Sequence, residues 1–147
     1  MKKMYGKPAI DEGSLLLGKE GSGQVLASNM EKFYGKTKPK YASAHHIIPK
    51  MEGLEDVNGF GNKLRDILKS HNIDINDPRN GVFLPADKFR ADVLNMPNHM
   101  DHNVMHGPEI MQSLYGDLSR CNSKEQVFEV LNDYRQAMLK NDLFWLK

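Results

Sequence analysis

The sequence predicts an α+β domain in which one small β-hairpin lies within a mostly helical shell. Two short stretches, residues 44–48 and 82–84, hold β-branched or aromatic residues, and a proline follows each, as is typical of strands that end there. Most of the other apolar residues recur three and four positions apart, which is the spacing of amphipathic helices. The length of 147 residues suits one domain.

Composition and charge narrow the class of protein. No stretch approaches the roughly 20 apolar residues of a membrane helix, and no apolar signal-peptide core is present, so we expect neither a membrane span nor a cleavable export signal. The single cysteine, Cys121, excludes an internal disulfide and a cysteine zinc cluster. Residues 1–50 hold nine lysines and four acidic residues, which fits either a polyanionic partner or a solvated lysine-rich tail.

The first elements follow from glycine, proline and apolar spacing. Residues 1–23 are glycine-rich and predict an N-terminal arm or linker that docks through three leucines at 15–17, ahead of a domain at 24–147. Helical spacing over 24–34 ends at Gly35. Residues 36–40 are basic, contain a proline and lead into the first strand.

The middle of the chain supplies a helix and the second strand. Residues 62–71 place their apolar side chains on one face, with His71 in the last turn. The Asn80-Gly81 pair is a turn signal that leads into the strand 82–84, which we expect to pair antiparallel with 44–48. A further helical stretch is expected within 87–94.

The C-terminal third predicts three helices. Residues 98–106 carry histidines at helical spacing, and Pro108 fits the first position of a helix that runs through 118. Asn122 or Ser123 caps an amphipathic helix over about 123–140. Residues 143–146 are expected to pack back as a terminal anchor.

Histidines carry the chemistry that the sequence suggests. His45 and His46 are neighbours in a strand, so their side chains point to opposite faces, and one can bind a metal while the other meets a substrate. His99, His102 and His106 share one helical face, and imidazole is a common ligand for divalent metals. Either group alone is weak evidence, and together they indicate a metal site built without cysteine.

Three segments in this order resemble the AHH nucleases of the HNH/endonuclease VII superfamily. They are Ala-His-His-Ile-Ile-Pro at 44–49, Asn-Gly-Val-Phe-Leu-Pro at 80–85, and His-x-x-x-His-Gly-Pro at 102–108. The resemblance runs from about residue 25 to 118 and includes the intervening Leu-Arg-Asp-Ile-Leu pattern at 64–68 and the Ile-Asp-Ile-Asn pattern at 73–76. It implies a ββα-metal finger, a hairpin and a helix that grip one divalent ion, with its motif core at about 41–120.

The resemblance also implies roles for individual residues. His45 matches the first metal ligand, and His102 and His106 match the helical ligands. His46 matches the general base that takes a proton from water. Asn80 matches the central asparagine, which holds the backbone of the loop that bears the base rather than reacting itself.

Other site residues are left with alternatives. His99 has no place in the family pattern and is an alternate ligand, a phosphate contact or a surface residue. Four lysines, Lys36, Lys38, Lys40 and Lys50, are expected to bind substrate phosphates. Mg²⁺ or Mn²⁺ is expected to support activity, whereas three imidazoles would hold Zn²⁺ or Ni²⁺ more tightly.

The function expected from the resemblance is metal-dependent hydrolysis of DNA with little sequence preference, by a secreted toxin or effector domain that acts in a target cell and requires an immunity protein in the producer. An RNase of the same fold is the nearest alternative. A non-catalytic module with a structural zinc is another, because His99 would supply a fourth ligand. In the remaining alternative, the histidines are incidental surface residues without a shared function. The oligomeric state is left open.

Overall fold

A computed structural model describes residues 15–18, 21–38, 40, 42–50, 60–85 and 108–140. Within these residues the chain forms helices and a two-stranded sheet in the order α1 (Gly23–Tyr34), β1 (Ala42–His46), α2 (Phe60–Ser70), a 3-10 helix (Pro78–Asn80), β2 (Gly81–Pro85), α3 (Pro108–Ser119) and α4 (Lys124–Lys140). None of the helices in this part of the chain is long and apolar enough to span a membrane.

The two strands pair antiparallel, from Ala42 opposite Pro85 to His46 opposite Gly81. The expected α+β class with one antiparallel hairpin is therefore confirmed. The expected bounds of the first strand were wrong by two residues, since β1 ends at His46 and Ile47 and Ile48 follow it. Their N–H groups leave the ladder because both donate to Asn80, one to its carbonyl and one to its side chain.

Helix α1 forms where the apolar spacing predicted it. The Ser22 side chain caps it by accepting a hydrogen bond from the N–H of Val25 at 3.3 Å. Gly35 ends it with φ 71°, a left-handed conformation that glycine adopts without a Cβ penalty. The helix buries Leu26, Met30 and Phe33, and its contacts join it to the hairpin and the 3-10 helix.

The later helices match the sequence pattern with small differences at their ends. Helix α2 begins at Phe60 rather than 62, and His71 lies in the turn after it rather than in its last turn. Helix α3 begins at Pro108 as expected. Ser123, rather than Asn122, caps α4, because its hydroxyl accepts from the N–H of Gln126 at 3.1 Å. The helices expected within 87–94 and over 98–106, and the anchor at 143–146, lie outside the described residues.

One hydrophobic core joins the residues after β1, strand β2 and helices α2, α3 and α4. Its members are deeply buried and include Ile47, Ile48, Leu64, Leu68, Ile73, Val82, Leu84, Ile110, Met111, Leu114, Leu118, Val127, Leu131, Tyr134 and Met138. Full burial of one such apolar side chain stabilises the folded protein by about 1.5–3 kcal/mol. Ile47 and Ile48, which directly follow the histidine pair, are thus part of the core.

The N-terminal arm docks through one leucine rather than three. Leu15 is 8% exposed, whereas Leu16 and Leu17 are 39% and 45% exposed. The peptide of Leu16 is held instead by polar contacts, since its N–H donates to Oδ1 of Asn29 at 2.7 Å and its carbonyl accepts from Nδ2 of Asn29 at 3.0 Å. Hydrogen bonds from the Asn29 side chain therefore hold the arm together with the apolar contact of Leu15.

Candidate active site

The two adjacent histidines end strand β1 and occupy different environments. Strand alternation turns their side chains to opposite faces of the hairpin. His46 is only 4% exposed, and His45 is half-buried with its Nε2 atom shielded from solvent. The two rings therefore lie in different surroundings, and His46 is the more buried of the two.

The partner of His46 across the hairpin, Gly81, lets helix α1 approach the sheet. A Cβ at this position would lie 2.6 Å from Sδ of Met30 and 2.9 Å from Cδ1 of Leu26. Contacts that short are not tolerated between carbon or sulfur atoms. An added Cβ would overlap the ends of these two side chains, so the glycine lets α1 lie close to β2 beside the histidine pair.

Asn80 is fully buried and binds the backbone just beyond His46. Its Oδ1 accepts from the N–H of Ile48 at 2.9 Å, and its Nδ2 donates to the carbonyls of Ile48 at 3.2 Å and Ile75 at 3.0 Å. Its own carbonyl accepts from the N–H of Ile47 at 2.8 Å. Asn80 therefore joins the end of β1 to the loop before the 3-10 helix.

Asn76 is the direct partner of His46. Its Oδ1 lies 2.9 Å from Nε2 of His46 and also accepts from the N–H of Ser22 at 3.1 Å. A peptide N–H can only donate, so the Asn76 atom between them must be oxygen. The His46 Nε2 must then carry a proton and donate it, and in the neutral ring the lone pair resides on Nδ1.

Further polar groups hold Asn76 in place. Its N–H donates to Oδ2 of Asp74 at 2.9 Å, and its carbonyl accepts from Nδ2 of Asn29 at 2.9 Å. Asn29 and Asn76 are both fully buried. A buried amide with satisfied hydrogen bonds has little freedom to rotate, because any rotation leaves polar groups without partners away from water.

Helix α4 holds the corner that carries Asn80. The buried guanidinium of Arg135 donates through Nε to the carbonyl of Gly81 at 2.9 Å and through a terminal nitrogen to the carbonyl of Arg79. These are the two residues that flank Asn80. The side chain of Arg79 in turn lies over the rings of Phe33 and Phe128, with its carbon 4.8 and 3.7 Å from their centroids.

The four candidate phosphate-binding lysines differ in their surroundings. Lys36, Lys40 and Lys50 are exposed. Lys38 is half-buried, and its ammonium donates to the carbonyl of Ala42 at the start of β1, at 2.8 Å. Three of the four are thus accessible to an anion, and Lys38 also contributes to the fold.

The other expected metal ligands lie where the structure is not described. His99, His102 and His106 fall outside the described residues, and so does the helix that would complete a ββα finger. Within the described ranges, no three His, Cys, Asp or Glu side chains could hold a metal ion together. Of the expected donor set, the described residues include His45 alone.

Sequence reasoning missed the residues that support the two named ones. The residues around His46 and Asn80 are polar or charged, and such residues are common in loops and on helix surfaces. They are Asn76, Ser22, Asn29, Asp74 and Arg135. Asn76 alone had a signal, because it closes the Ile73-Asp-Ile-Asn76 segment that forms part of the family resemblance. The others become visible only through contacts between distant parts of the chain.

Comparison with known families gives a match over most of the chain. The family model described as AHH, a nuclease family of the HNH/ENDO VII superfamily with conserved AHH, matches residues 26–141. No curated protein and no solved structure gives a significant match. The matched range includes His45, His46, Asn76 and Asn80, and it leaves the N-terminal arm outside.

Proposed function

The chain belongs to the AHH family of nucleases in the HNH/ENDO VII superfamily, and on that basis we propose that it is a divalent-metal-dependent endonuclease that hydrolyses DNA with little sequence preference. The observation that carries the proposal is the 2.9 Å contact between Nε2 of His46 and Oδ1 of Asn76. A ring held in this way has a defined orientation and a defined protonated nitrogen, which are the requirements of a general base.

His46 takes the proton in the proposed reaction. Nδ1 accepts a proton from the attacking water, whose oxygen forms a bond to phosphorus while the bond from phosphorus to the 3′-oxygen breaks. The ring becomes a cation, and Oδ1 of Asn76 favours that cation because it already accepts the Nε2 proton. The leaving 3′-oxygen takes a proton from solvent water, so we expect 5′-phosphate and 3′-hydroxyl products.

Asn80 supports this chemistry without touching the substrate. Its hydrogen bonds to Ile48 and Ile75 hold the residues that follow His46, so the ring cannot shift along the hairpin. Positioning of this kind matters because a displacement of about 1 Å can lower a rate about 100-fold.

The proposed metal ligands are His45, His102 and His106, with His99 as an alternate. A divalent ion supplies polarisation of a phosphate oxygen and stabilisation of charge on the leaving oxygen when it is bound. We propose Mg²⁺ or Mn²⁺ as the activating ion and tighter binding of Zn²⁺ or Ni²⁺ by the imidazoles.

The exposed lysines support a nucleic acid substrate that is bound through its backbone. Lys36 and Lys40 precede β1, and Lys50 follows the histidine pair by four residues. Contacts of lysine with phosphate carry no sequence information, which fits cleavage without sequence preference. DNA is proposed as the substrate, and RNA is the alternative that the test below separates.

We further propose the role that the family resemblance implies. The domain would be a secreted toxin or effector that acts in the cytoplasm of a target cell, and the producing cell would hold an immunity protein against it. Binding of that protein over the His46 region would suppress the nuclease.

The first experiment incubates supercoiled plasmid and a structured RNA with wild type, His46→Ala and His71→Ala, each with Mg²⁺, Mn²⁺ or Zn²⁺. His71 lies in the turn after α2, beside Tyr115 and Leu118 of α3, and serves as the matched control. We expect plasmid cleavage by wild type and His71→Ala and a loss of at least about 100-fold in His46→Ala.

Other outcomes would change the proposal in defined ways. Cleavage of the RNA but not the plasmid would replace DNA by RNA. Absence of cleavage with every ion, together with one tightly bound zinc, would replace the enzyme by a structural-zinc module.

A further inference from the structure

The sequence contains the dipeptide Asn-Gly twice, at 58–59 and at 80–81. Asparagine before glycine is the dipeptide most prone to lose its side-chain amide, because glycine has no Cβ to keep its peptide nitrogen away from the asparagine side chain. The first dipeptide lies outside the described residues. The second forms the corner before β2, where the contacts of both residues decide whether the reaction can proceed.

The reaction is a ring closure between the two residues. The Gly81 nitrogen loses its proton and forms a bond to Cγ of Asn80, and the bond from Cγ to Nδ2 breaks. The departing nitrogen takes up a proton through solvent and leaves as ammonia, so a succinimide ring remains. Water then opens the ring at one of its two carbonyl carbons. The product is aspartate or isoaspartate, in which the main chain runs through the former side chain.

The peptide group between Asn80 and Gly81 is held at both of its polar ends. Its carbonyl accepts from the N–H of Ile47 at 2.8 Å, and its N–H donates to the carbonyl of Pro78. A planar five-membered ring places the Gly81 nitrogen beside Cβ of Asn80, whereas the ψ angle of a 3-10 helix keeps these two atoms apart. The peptide group must therefore turn before the ring can close, and the turn breaks both hydrogen bonds.

The side-chain amide of Asn80 is held independently of the peptide group. Its Oδ1 accepts from the N–H of Ile48, and its Nδ2 donates to the carbonyls of Ile48 and Ile75. Asn80 is fully buried, so the water that must open the ring is kept away from it. The folded protein therefore protects a dipeptide that is reactive in an unfolded chain.

Neither product fits the place that Asn80 occupies. At neutral pH aspartate has an oxygen in place of Nδ2, so the carbonyl oxygens of Ile48 and Ile75 would face an acceptor instead of a donor. Isoaspartate adds one carbon to the main chain directly before the ladder that begins with His46 opposite Gly81. Both changes oppose formation of the hairpin corner.

We propose that Asn80-Gly81 is a deamidation site whose reaction is controlled by folding. Asn80 persists in the folded protein, whereas a chain that remains unfolded is converted at this position and loses the ability to fold again. Unfolding thus becomes irreversible with time, through a covalent change at the corner beside the histidine pair. The inference does not rest on the proposed nuclease reaction, because peptide masses and refolding report it.

The first measurement compares the two dipeptides in the full-length protein. The protein is kept at mildly alkaline pH in buffer or in concentrated guanidinium chloride, and tryptic peptides are analysed at intervals by chromatography and mass spectrometry. We expect Asn80 and Asn58 to convert at similar rates in the denaturant. In buffer, Asn80 should convert at least about 100-fold more slowly than in the denaturant, because only a small fraction of the folded protein is open at any time.

Two arginine variants test whether the corner itself controls the rate. Arg135→Met removes hydrogen bonds to the carbonyls of Arg79 and Gly81, on either side of Asn80, and Arg120→Met removes an exposed arginine. In buffer, conversion of Asn80 should be about 10-fold faster or more in Arg135→Met and unchanged in Arg120→Met. The comparison of wild type in buffer and in denaturant remains decisive if Arg135→Met does not fold.

The second measurement follows refolding of chains that were held in guanidinium chloride for increasing times. Circular dichroism after dilution gives the refolded fraction, which should fall in step with conversion of Asn80, and the refolded molecules should retain asparagine at this position. Asn58→Gln is the control and should lose refolding at the same rate as wild type. Its glutamine would have to close a six-membered ring and therefore reacts far more slowly than asparagine.

The inference is overturned if wild type converts Asn80 as fast in buffer as in guanidinium chloride. It is also overturned if chains with aspartate or isoaspartate at position 80 refold as completely as unconverted chains. A loss of refolding that disappears in Asn58→Gln would contradict it as well, because the other dipeptide would then be the cause.

Discussion

Oδ1 of Asn76 accepts hydrogen bonds from Nε2 of His46 and from the peptide N–H of Ser22, at 2.9 and 3.1 Å. Two donors from distant parts of the chain thus meet at one buried oxygen. The relationship defines the protonated nitrogen of His46, because only oxygen can satisfy the peptide donor. Asn76 is therefore as suitable a target for mutation as His46.

Asn76→Ala should lower kcat roughly 10–100-fold with little change in KM, because His46 loses its orientation while the substrate contacts remain. The free energy of unfolding should fall by about 1–3 kcal/mol, since the Nε2–H of His46 and the N–H of Ser22 lose their acceptor. Steady-state cleavage and urea unfolding measure the two effects. The exposed Asn62→Ala on α2 is the control, and equal rates for the two variants would contradict the assigned role.

Arg135→Met should reduce the free energy of unfolding by about 2–4 kcal/mol, because the carbonyls of Arg79 and Gly81 lose a charged donor inside the core. Methionine keeps most of the side-chain volume, so packing changes little. Arg120→Met is the control, since Arg120 pairs with Asp117 at the surface with its side chain 74% exposed and should change stability by less than about 1 kcal/mol. If the two variants lose similar amounts of unfolding free energy in urea, the hydrogen bonds of Arg135 to Arg79 and Gly81 do not stabilise the fold as proposed.

Gly81→Ala should destabilise the protein by roughly 1–3 kcal/mol, because the added methyl group overlaps Met30 and Leu26 of α1. Gly116→Ala, the same substitution in α3, meets no atom within 4 Å and should stabilise by roughly 0.5–1 kcal/mol through helix propensity. Thermal unfolding of both variants shows whether each substitution lowers or raises the stability of the protein. A stabilised Gly81→Ala protein would mean that α1 does not pack on β2 in this way.

Burial raises the pKa of the Cys121 thiol, and the carboxylate of Asp117 raises it further. Less thiolate is therefore present at neutral pH in the folded protein than in the unfolded chain, and the alkylation rate should reach its midpoint at a higher pH when the protein is folded. Iodoacetamide labelling from pH 7 to 10, with and without urea, measures this. Asp117→Asn should lower the midpoint and Glu125→Gln should not; identical midpoints in folded and unfolded chains would refute the shift.

Local patterns were enough to predict much of the architecture. The i, i+3, i+4 spacing of apolar residues marked α1, α2, α3 and α4, and Gly35, Pro108 and Ser123 marked helix ends, because capping depends on residues within a few positions. The hairpin followed from Asn80-Gly81 and from apolar strands that a proline follows. The bounds of β1 did not, since its end depends on Asn80, which lies 32 residues beyond Ile48.

The sequence by itself determined the class of the domain, the hairpin, the family and the identity of His45, His46 and Asn80 as the candidate site. Only the tertiary structure decided what surrounds them: Asn76 lies 30 residues from His46, Ser22 is 54 residues from Asn76, and Arg135 is 54 residues from Gly81. The physical reason is that the orientation and protonated nitrogen of a buried ring depend on which donors and acceptors the completed core places beside it, and residue type does not encode that information.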